Sequence, residues 1–362
     1  MNFDLSDDCK AMAGEVRRVL ERCCTMDEVR RCLAQGQPSE RTWQALAELG
    51  VLGAAIPERW GGSGLGEIEL AACAEQIGHA CAPVPTLASL YLATPALLQL
   101  GDDGLRARWL PLLARGGAVG SVAFGDLVVD AAGRASAELR LVPGGGRADV
   151  LIVLDDGAGG WCVDLHQDGV SRREHAVLDP GYPLADLRLV QVAAQRLHAG
   201  PGCATALRDH AAVLLAFEQL GGAERALAMA RSHTLMRRTF GRTVASYQAV
   251  KHLLADVWCR IELARGHAYH GAWAVAQRHA QLPLAAAGAR VAASEAFEFA
   301  AQENLQLHGG IGFTWEADCH PLYKRARSTS LALGSVRAWK RRLVEQLREP
   351  LDATRQETAR GL

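Results

Sequence analysis

Two arginines and a side-chain amide lie close to a helix start in one segment of the sequence. Arg237 and Arg238 belong to a helix predicted to end at Gly241, and Gln248 falls in the first turn of the next helix, which begins near Ser246. Guanidinium groups, helix N-terminal amides and a side-chain amide can together bind a pyrophosphate. A helical hairpin with solvated arginines is the plainer interpretation, because such arginines are common on surfaces.

A second segment combines glycines with polar side chains. Gln306 lies on a helix predicted over roughly 285–308, which Gly309 and Gly310 end. Gly312 and Thr314 follow. Glycines remove the Cβ atoms that would keep a ligand away from the backbone. The alternative is a structural hinge, because glycine often only ends a helix.

A further glycine run, Gly61–Gly66, does not fit dinucleotide binding. The dinucleotide fingerprint needs G-x-G-x-x-G directly after a strand, whereas here the spacing differs and a helical segment precedes the run. The run therefore predicts a turn between two helices.

The composition narrows the classes of protein. With 39 basic and 40 acidic residues among 362, the chain lacks the basic excess typical of nucleic-acid binding. The sequence has no apolar run of membrane-spanning length and no signal-peptide pattern at its start, which predicts a cytoplasmic protein. Its ten cysteines are scattered without a C-x-x-C pair, so they are interpreted as core residues rather than metal ligands.

The length of the chain, and the changes in composition and periodicity along it, predict an α+β protein of two or three domains. Residues 1–120 have the pattern of a helical domain. Residues 121–200 contain two valine- and leucine-rich runs, 149–154 and 185–192, which predict a small middle β domain. Residues 201–350 have long helical periodicity and predict a C-terminal four-helix bundle, and 351–362 form a polar tail.

These segments together resemble the acyl-CoA dehydrogenases. The resemblance lies in R-R-T-F-G followed by Y-Q-A-V-K-H-L-L-A-D, and then in Q-L-H-G-G-I-G-F-T-W-E. The N-terminal half agrees through W-Q-A-L-A-E-L-G-V-L-G, I-P-E-R-W-G-G-S-G-L-G and L-P-L-L-A-R-G-G. The resemblance covers both helical domains, about three-quarters of the chain.

The resemblance implies a helical domain, a barrel-like β domain and a four-helix bundle, with FAD held between the last two and completed by a neighbouring subunit. Arg237 would reach the FAD pyrophosphate, and Phe240 and Gln248 would lie along the same cofactor. Gln306, Gly309 and Gly310 would contact the adenosine side across a dimer. Ser335 would approach the cofactor, as a family threonine or serine commonly does.

The sequence departs from the family at the catalytic base. The family uses a glutamate to take the α-proton of an acyl thioester while the β-hydride leaves to the flavin. One common position for that glutamate is occupied here by Leu333 and the other by Ala211, and neither side chain accepts a proton. Asp209 lies two residues from the second position. Glu218 lies almost two helical turns beyond it, on the same face, where partial burial would raise its pKa.

The middle domain also departs from the family pattern. The T-E-P-x-A-G-S-D-like and W-I-T-N/S-like stretches that bind the flavin ring have no counterpart around 122–126 and 147–150. Such a chain resembles the degenerate subunits of hetero-oligomeric acyl-CoA dehydrogenases. Three functions follow: dehydrogenation of an acyl-CoA, alone or as one half of a heteromer; non-catalytic support of a partner's FAD; or other flavin chemistry on a non-CoA substrate.

Overall fold

The computed structural model describes residues 5–155, 157 and 159–360, with side chains described up to residue 348. The chain divides into two compact units, and the boundary between Ala211 and Ala212 falls inside one long helix. The domain boundaries at 120 and 200 remain predictions. Of the predicted polar tail, residues 351–360 have a helical backbone, and residues 361 and 362 lie outside the described part.

The first unit begins with six α-helices whose starts are largely set by capping side chains. Ser6, Thr25, Ser39 and Asp102 each accept a hydrogen bond from a backbone N–H in the first turn, which satisfies a donor that the helix leaves open. A buried π-helical turn, Thr86–Ala93, leads into the fifth helix. The helices are α1 (Asp7–Cys23), α2 (Met26–Gln35), α3 (Glu40–Glu48), α4 (Glu67–His79), α5 (Thr94–Leu100) and α6 (Asp103–Ala114).

A curled sheet follows these helices in the same unit. Both runs predicted as strands lie in it, as β4 and β7. The sheet runs β1-β4-β5-β7-β3-β2, with β6 also paired to β7; β1 and β4 are parallel and the other described pairs antiparallel. The strands are β1 (Gly120–Phe124), β2 (Val128–Val129), β3 (Arg134–Pro143), β4 (Val150–Leu154), β5 (Gly160–Asp164), β6 (Val170–Glu174) and β7 (Leu184–Arg196).

Long helices build the second unit. Close approach between them depends on small residues: a Cβ at Gly222 would overlap the Phe297 ring, and a Cβ at Gly271 would lie 2.8 Å from Val213. The elements are α7 (Cys203–Met236, which begins in the first unit), the short strands β8 (Arg238–Thr239) and β9 (Arg242–Thr243), α8 (Gln248–Ala276), α9 (Leu282–Leu307), α10 (Cys319–Leu331) and α11 (Val336–Arg360).

The prediction that the arginine-bearing helix continues to Gly241 is wrong. α7 ends at Met236, and the chain then forms the β8–β9 hairpin. Phe240 and Gly241 both have φ in the left-handed region, +50° and +79°, which a helix does not allow and a tight hairpin turn requires.

All ten cysteines are free thiols, and eight of them are buried. Burial raises the pKa of Cys73 and of Cys162 to about 12, so these thiols stay protonated. The eight buried cysteines pack as small apolar side chains, as the scattered spacing predicts, whereas Cys203 is half-buried and Cys259 is exposed. Within the described residues, no helix is both long enough and apolar enough to cross a membrane.

Candidate functional site

The segment that carries the predicted pyrophosphate ligands is a short hairpin held by local backbone hydrogen bonds. In this arginine segment (residues 237–248), the Arg237 N–H donates to the His233 carbonyl at 2.8 Å, and the Val244 N–H donates to the Arg237 carbonyl at 2.9 Å. These bonds hold the Arg237 backbone where α7 ends. Its side chain is exposed and forms no ion pair with any residue the structure describes, so its charge is open to a ligand.

One aromatic side chain fixes the far side of the hairpin. The Tyr247 hydroxyl donates to the Thr239 carbonyl at 3.0 Å, and the Arg242 guanidinium lies 3.9 Å from the Tyr247 ring centroid. Arg242 is therefore occupied by a cation–π contact. Gln248, the first residue of α8, is exposed beside this hairpin.

Phe240 lies at the hairpin tip and is 98% exposed. A fully exposed phenylalanine is unusual for a folded chain, because removing such a ring from water is strongly favourable. Its exposure suits a residue that a ligand or another chain covers.

The second segment is the glycine loop (residues 306–312), which begins in the last turn of α9. A 3-10 helix spans Gly309–Phe313, and Gly309 has φ +62°. A Cβ at Gly309 or Gly310 would meet nothing within 4 Å, whereas a Cβ at Gly312 would overlap the Leu305 carbonyl. The first two glycines therefore leave space above the backbone, and the third allows the chain to turn.

Two histidines bring the two segments together. The ring of His233, in the last turn of α7, stacks on the ring of His308 with centroids 4.2 Å apart. His233 lies four residues before Arg237, and His308 directly precedes Gly309. The arginine segment and the glycine loop thus share one end of the helical unit, which is the arrangement that joint binding of one ligand requires.

Ser335 lies at a different place in this unit. Its hydroxyl caps α11 by accepting the Ala338 N–H at 3.3 Å. The turn before it is held by Arg290, which donates to the Ala332 carbonyl at 2.6 Å. Arg290 lies about 27 Å from His308 along α9, at 1.5 Å per residue. The structure therefore groups Arg237, Phe240, Gln248, Gln306, Gly309 and Gly310 and separates Ser335 from them.

The two positions of the missing base are both used for packing. Leu333 packs against the cluster of Ala212, Ala287, Val291 and Trp339, and its carbonyl accepts the Trp339 indole N–H at 3.1 Å. Ala211 is fully buried. Neither position presents a group that could take a proton.

Glu218, the best-placed substitute base, lies in a buried polar network. It is 2% exposed, and its carboxylate lies 3.5 Å from the equally buried Arg325 guanidinium. The neighbouring Gln219 accepts from Arg290 at 2.9 Å. Arg290 is 0% exposed and also donates to Ser294 and to the Thr329 carbonyl. The role of Glu218 as a base stays a prediction; the contacts favour a structural ion pair.

Asp209, the other substitute, is buried in the first turns of α7. Beside it, the buried His210 has its Nε2 2.9 Å from the Glu67 carboxylate of α4. The role of Asp209 also stays a prediction.

Five contributors to this site and its support were missed from the sequence. His233 and His308 stack on each other from two different helices. Tyr247 packs on a hairpin that was predicted to be helical. Glu218 and Arg290 both contact residues of α10. For the histidine pair, the local signal is the position of His233, one helical turn before Arg237. The buried arginines have no local signal, because their partners are distant in sequence. The missed residues are His233, His308, Tyr247, Arg290 and Arg325.

Comparison with known proteins places both helical regions in one family. Family models match residues 6–117 (Acyl-CoA dehydrogenase, N-terminal domain) and residues 199–346 (Acyl-CoA dehydrogenase, C-terminal domain). A curated relative, acyl-CoA dehydrogenase IpdE2 of Mycobacterium tuberculosis, is 36% identical over 312 residues, covering 86% of this chain and 87% of the relative. The chain belongs to the acyl-CoA dehydrogenase family.

Solved structures similar to this acyl-CoA dehydrogenase family member include assemblies of two named components. The ChsE4–ChsE5 complex of Mycobacterium tuberculosis contains a chain that is 27% identical, with a TM-score of 0.89. A variant of the Tcur3481–Tcur3483 steroid ACAD gives 29% identity and a TM-score of 0.88. Each match covers 96% of this chain and 99% of the other. The predicted three-part α, β, α fold is confirmed.

Proposed function

We propose that this chain is the supporting subunit of a two-component, FAD-dependent acyl-CoA dehydrogenase. It binds the pyrophosphate and adenosine part of FAD, and a glutamate-bearing partner subunit takes the α-proton of the acyl-CoA substrate. The proposal rests above all on one observation: Leu333 and Ala211, at the family's two base positions, are packing residues.

The residues at the shared end of the helical unit fit the cofactor. Arg237 offers an exposed guanidinium for the pyrophosphate, where a charge-assisted contact forms a short, strong hydrogen bond. The open space above Gly309 and Gly310 admits a flat or extended group against the backbone. FAD, when bound, supplies the acceptor for the β-hydride of the thioester. This chain orients the cofactor and excludes water from its phosphates.

The middle sheet supports the same division of labour. The Ser121 hydroxyl, on β1, donates to the Pro143 carbonyl at 2.6 Å, and the Asp149 carboxylate accepts the Val119 N–H at 2.7 Å. These two polar side chains, near the stretches that bind the flavin ring in the family, thus form hydrogen bonds with the backbone of this chain. The ring of the flavin would then be held mainly by the partner.

The similar proteins point to the partner and substrate class. Two of them are two-component assemblies, and one is described as a steroid ACAD. We infer that the partner is a second acyl-CoA dehydrogenase-like chain and that the substrate is a bulky, steroid-like acyl-CoA thioester.

The decisive experiment purifies the chain alone and together with a co-expressed glutamate-bearing homologue. Flavin absorbance is then followed anaerobically after addition of an acyl-CoA. We expect no bleaching with the chain alone and bleaching with the pair. Bleaching by the chain alone, lost in Glu218→Gln while the bundle stays folded, would make it an autonomous enzyme. Bleaching by a non-CoA substrate alone would assign it other flavin chemistry.

Two glycines of the glycine loop give a matched test of cofactor contact. Gly310→Val places a branched side chain in open space, so we expect loss of FAD or of assembly with an unchanged melting temperature. Gly312→Ala forces a Cβ onto the Leu305 carbonyl, so we expect a lower melting temperature instead. Flavin content, size-exclusion mass and thermal melting distinguish the two. A Gly310→Val protein that retains both full FAD and its oligomeric mass would contradict the proposed contact.

A further inference from the structure

His233 and His308 make the ring contact that joins the two cofactor segments. Their planes are inclined by only 27° at a centroid distance of 4.2 Å, which is a stacked arrangement. Both side chains are half-buried. The contact joins the end of α7 to the end of α9. The last carbonyl groups of a helix have no partner within it, so the chain that follows needs other contacts to hold it.

Each histidine is tied to its own segment through the backbone. The His233 carbonyl accepts the Arg237 N–H at 2.8 Å, so the position of His233 sets where the arginine segment begins. The His308 Nδ1 lies 2.7 Å from the Asn304 carbonyl. Because a carbonyl only accepts, Nδ1 carries the proton and the His308 ring is locked to the last turn of α9.

The surroundings of His233 disfavour its charged form. Burial, followed by the nearby charges of His308 and Arg237, lowers the pKa of His233. A neutral His233 ring can lie against His308 without adding a second positive charge beside Arg237. His233 therefore contributes to the contact through its ring, which stacks on that of His308.

We propose that the His233–His308 stack positions the arginine segment against the glycine loop and thereby sets the affinity of this end of the chain for the pyrophosphate and adenosine of FAD. The inference rests on the proposed function, because it assumes that both segments bind FAD. Both histidines are positioning residues, since their effect on the cofactor passes through Arg237 and Gly309.

The test compares His233→Ala with His233→Phe in the full chain, purified with its partner subunit. Alanine removes the ring and phenylalanine keeps it, so the pair isolates stacking from folding. We expect FAD titrated by flavin fluorescence to bind about three- to tenfold more weakly to His233→Ala, the range that aromatic pairs support, and near normally to His233→Phe. Amide hydrogen exchange in a peptide covering Gly309–Phe313 should accelerate by a similar factor in the alanine variant alone.

The outcomes separate this inference from the proposed function. Equal loss of affinity in both variants, or unchanged exchange in His233→Ala, would overturn the positioning role. If both Arg237→Ala and His233→Ala leave FAD binding unchanged, the proposed cofactor site itself is wrong. If Arg237→Ala weakens binding and His233→Ala does not, the site stands and only the stack is rejected.

Discussion

Glu218→Gln is expected to lower the free energy of unfolding by about 3–5 kcal/mol. The carboxylate and its partner guanidinium, on Arg325, are each 2% exposed, so water cannot replace the lost charge. A buried arginine left without its counter-ion carries most of its desolvation cost into the folded state. Urea unfolding followed by circular dichroism measures the change, with the m-value as a check on two-state behaviour.

The chain provides a matched control on its surface. Glu298 and Arg327 form an ion pair at 2.8 Å between half-exposed side chains. Glu298→Gln makes the same chemical change there, and exposed pairs contribute only about 0–1 kcal/mol. Equal effects of the two substitutions would show that Glu218 is not a buried structural partner. The variant then becomes a direct test of general-base catalysis, which supplies about 10²–10⁴ in rate.

Arg237→Ala should weaken FAD binding by about ten- to a hundredfold, with the bundle still folded. A charge-assisted contact to a phosphate contributes roughly 1.5–3 kcal/mol, and each 1.4 kcal/mol is tenfold in affinity. The side chain is exposed and packs against no core, so its truncation costs little stability. Flavin fluorescence titration measures the affinity, and a melting curve verifies the fold.

Arg238→Ala is the control for charge alone. Arg238 is the next residue and is equally exposed, but it lies in β8, paired with Thr243 across the hairpin. Arg237 lies between α7 and β8 rather than in the strand, so we expect the two guanidinium groups to point in different directions. Release of flavin by Arg238→Ala but not by Arg237→Ala would mean that the resemblance is aligned one residue out.

Local pattern was enough to predict the elements that carry most of the fold. The continuous apolar run at 150–154 is a fully buried strand, and the three- to four-residue period from 285 to 307 is a helix. Both depend on periodicities that a single stretch of sequence contains. Capping residues such as Ser39 and Asp102 act equally locally.

The hairpin at 238–243 could not be predicted in the same way. Arg-Arg-Thr-Phe-Gly continues the helical pattern of α7, but α7 ends at Met236, and the hairpin that follows has Phe240 in the left-handed conformation and is held by Tyr247. The contact between Glu218 and Arg325 joins residues 107 positions apart. Such long-range pairs depend on how α7 and α10 pack, and the hydrophobic periodicity of a single segment contains no information about that packing.

The surroundings of Leu333 make a glutamate difficult to accommodate at this position. The residue has φ +60°, and its partly buried side chain packs against the cluster that contains Trp339. Leu333→Glu would remove those apolar contacts and place a partly buried carboxylate against alanines, a valine and an indole, so we expect it to lower the stability of the chain. Under the proposed two-component function, packing at this turn would reinforce the dependence on a partner, and a base at this position would require several coordinated changes around the turn.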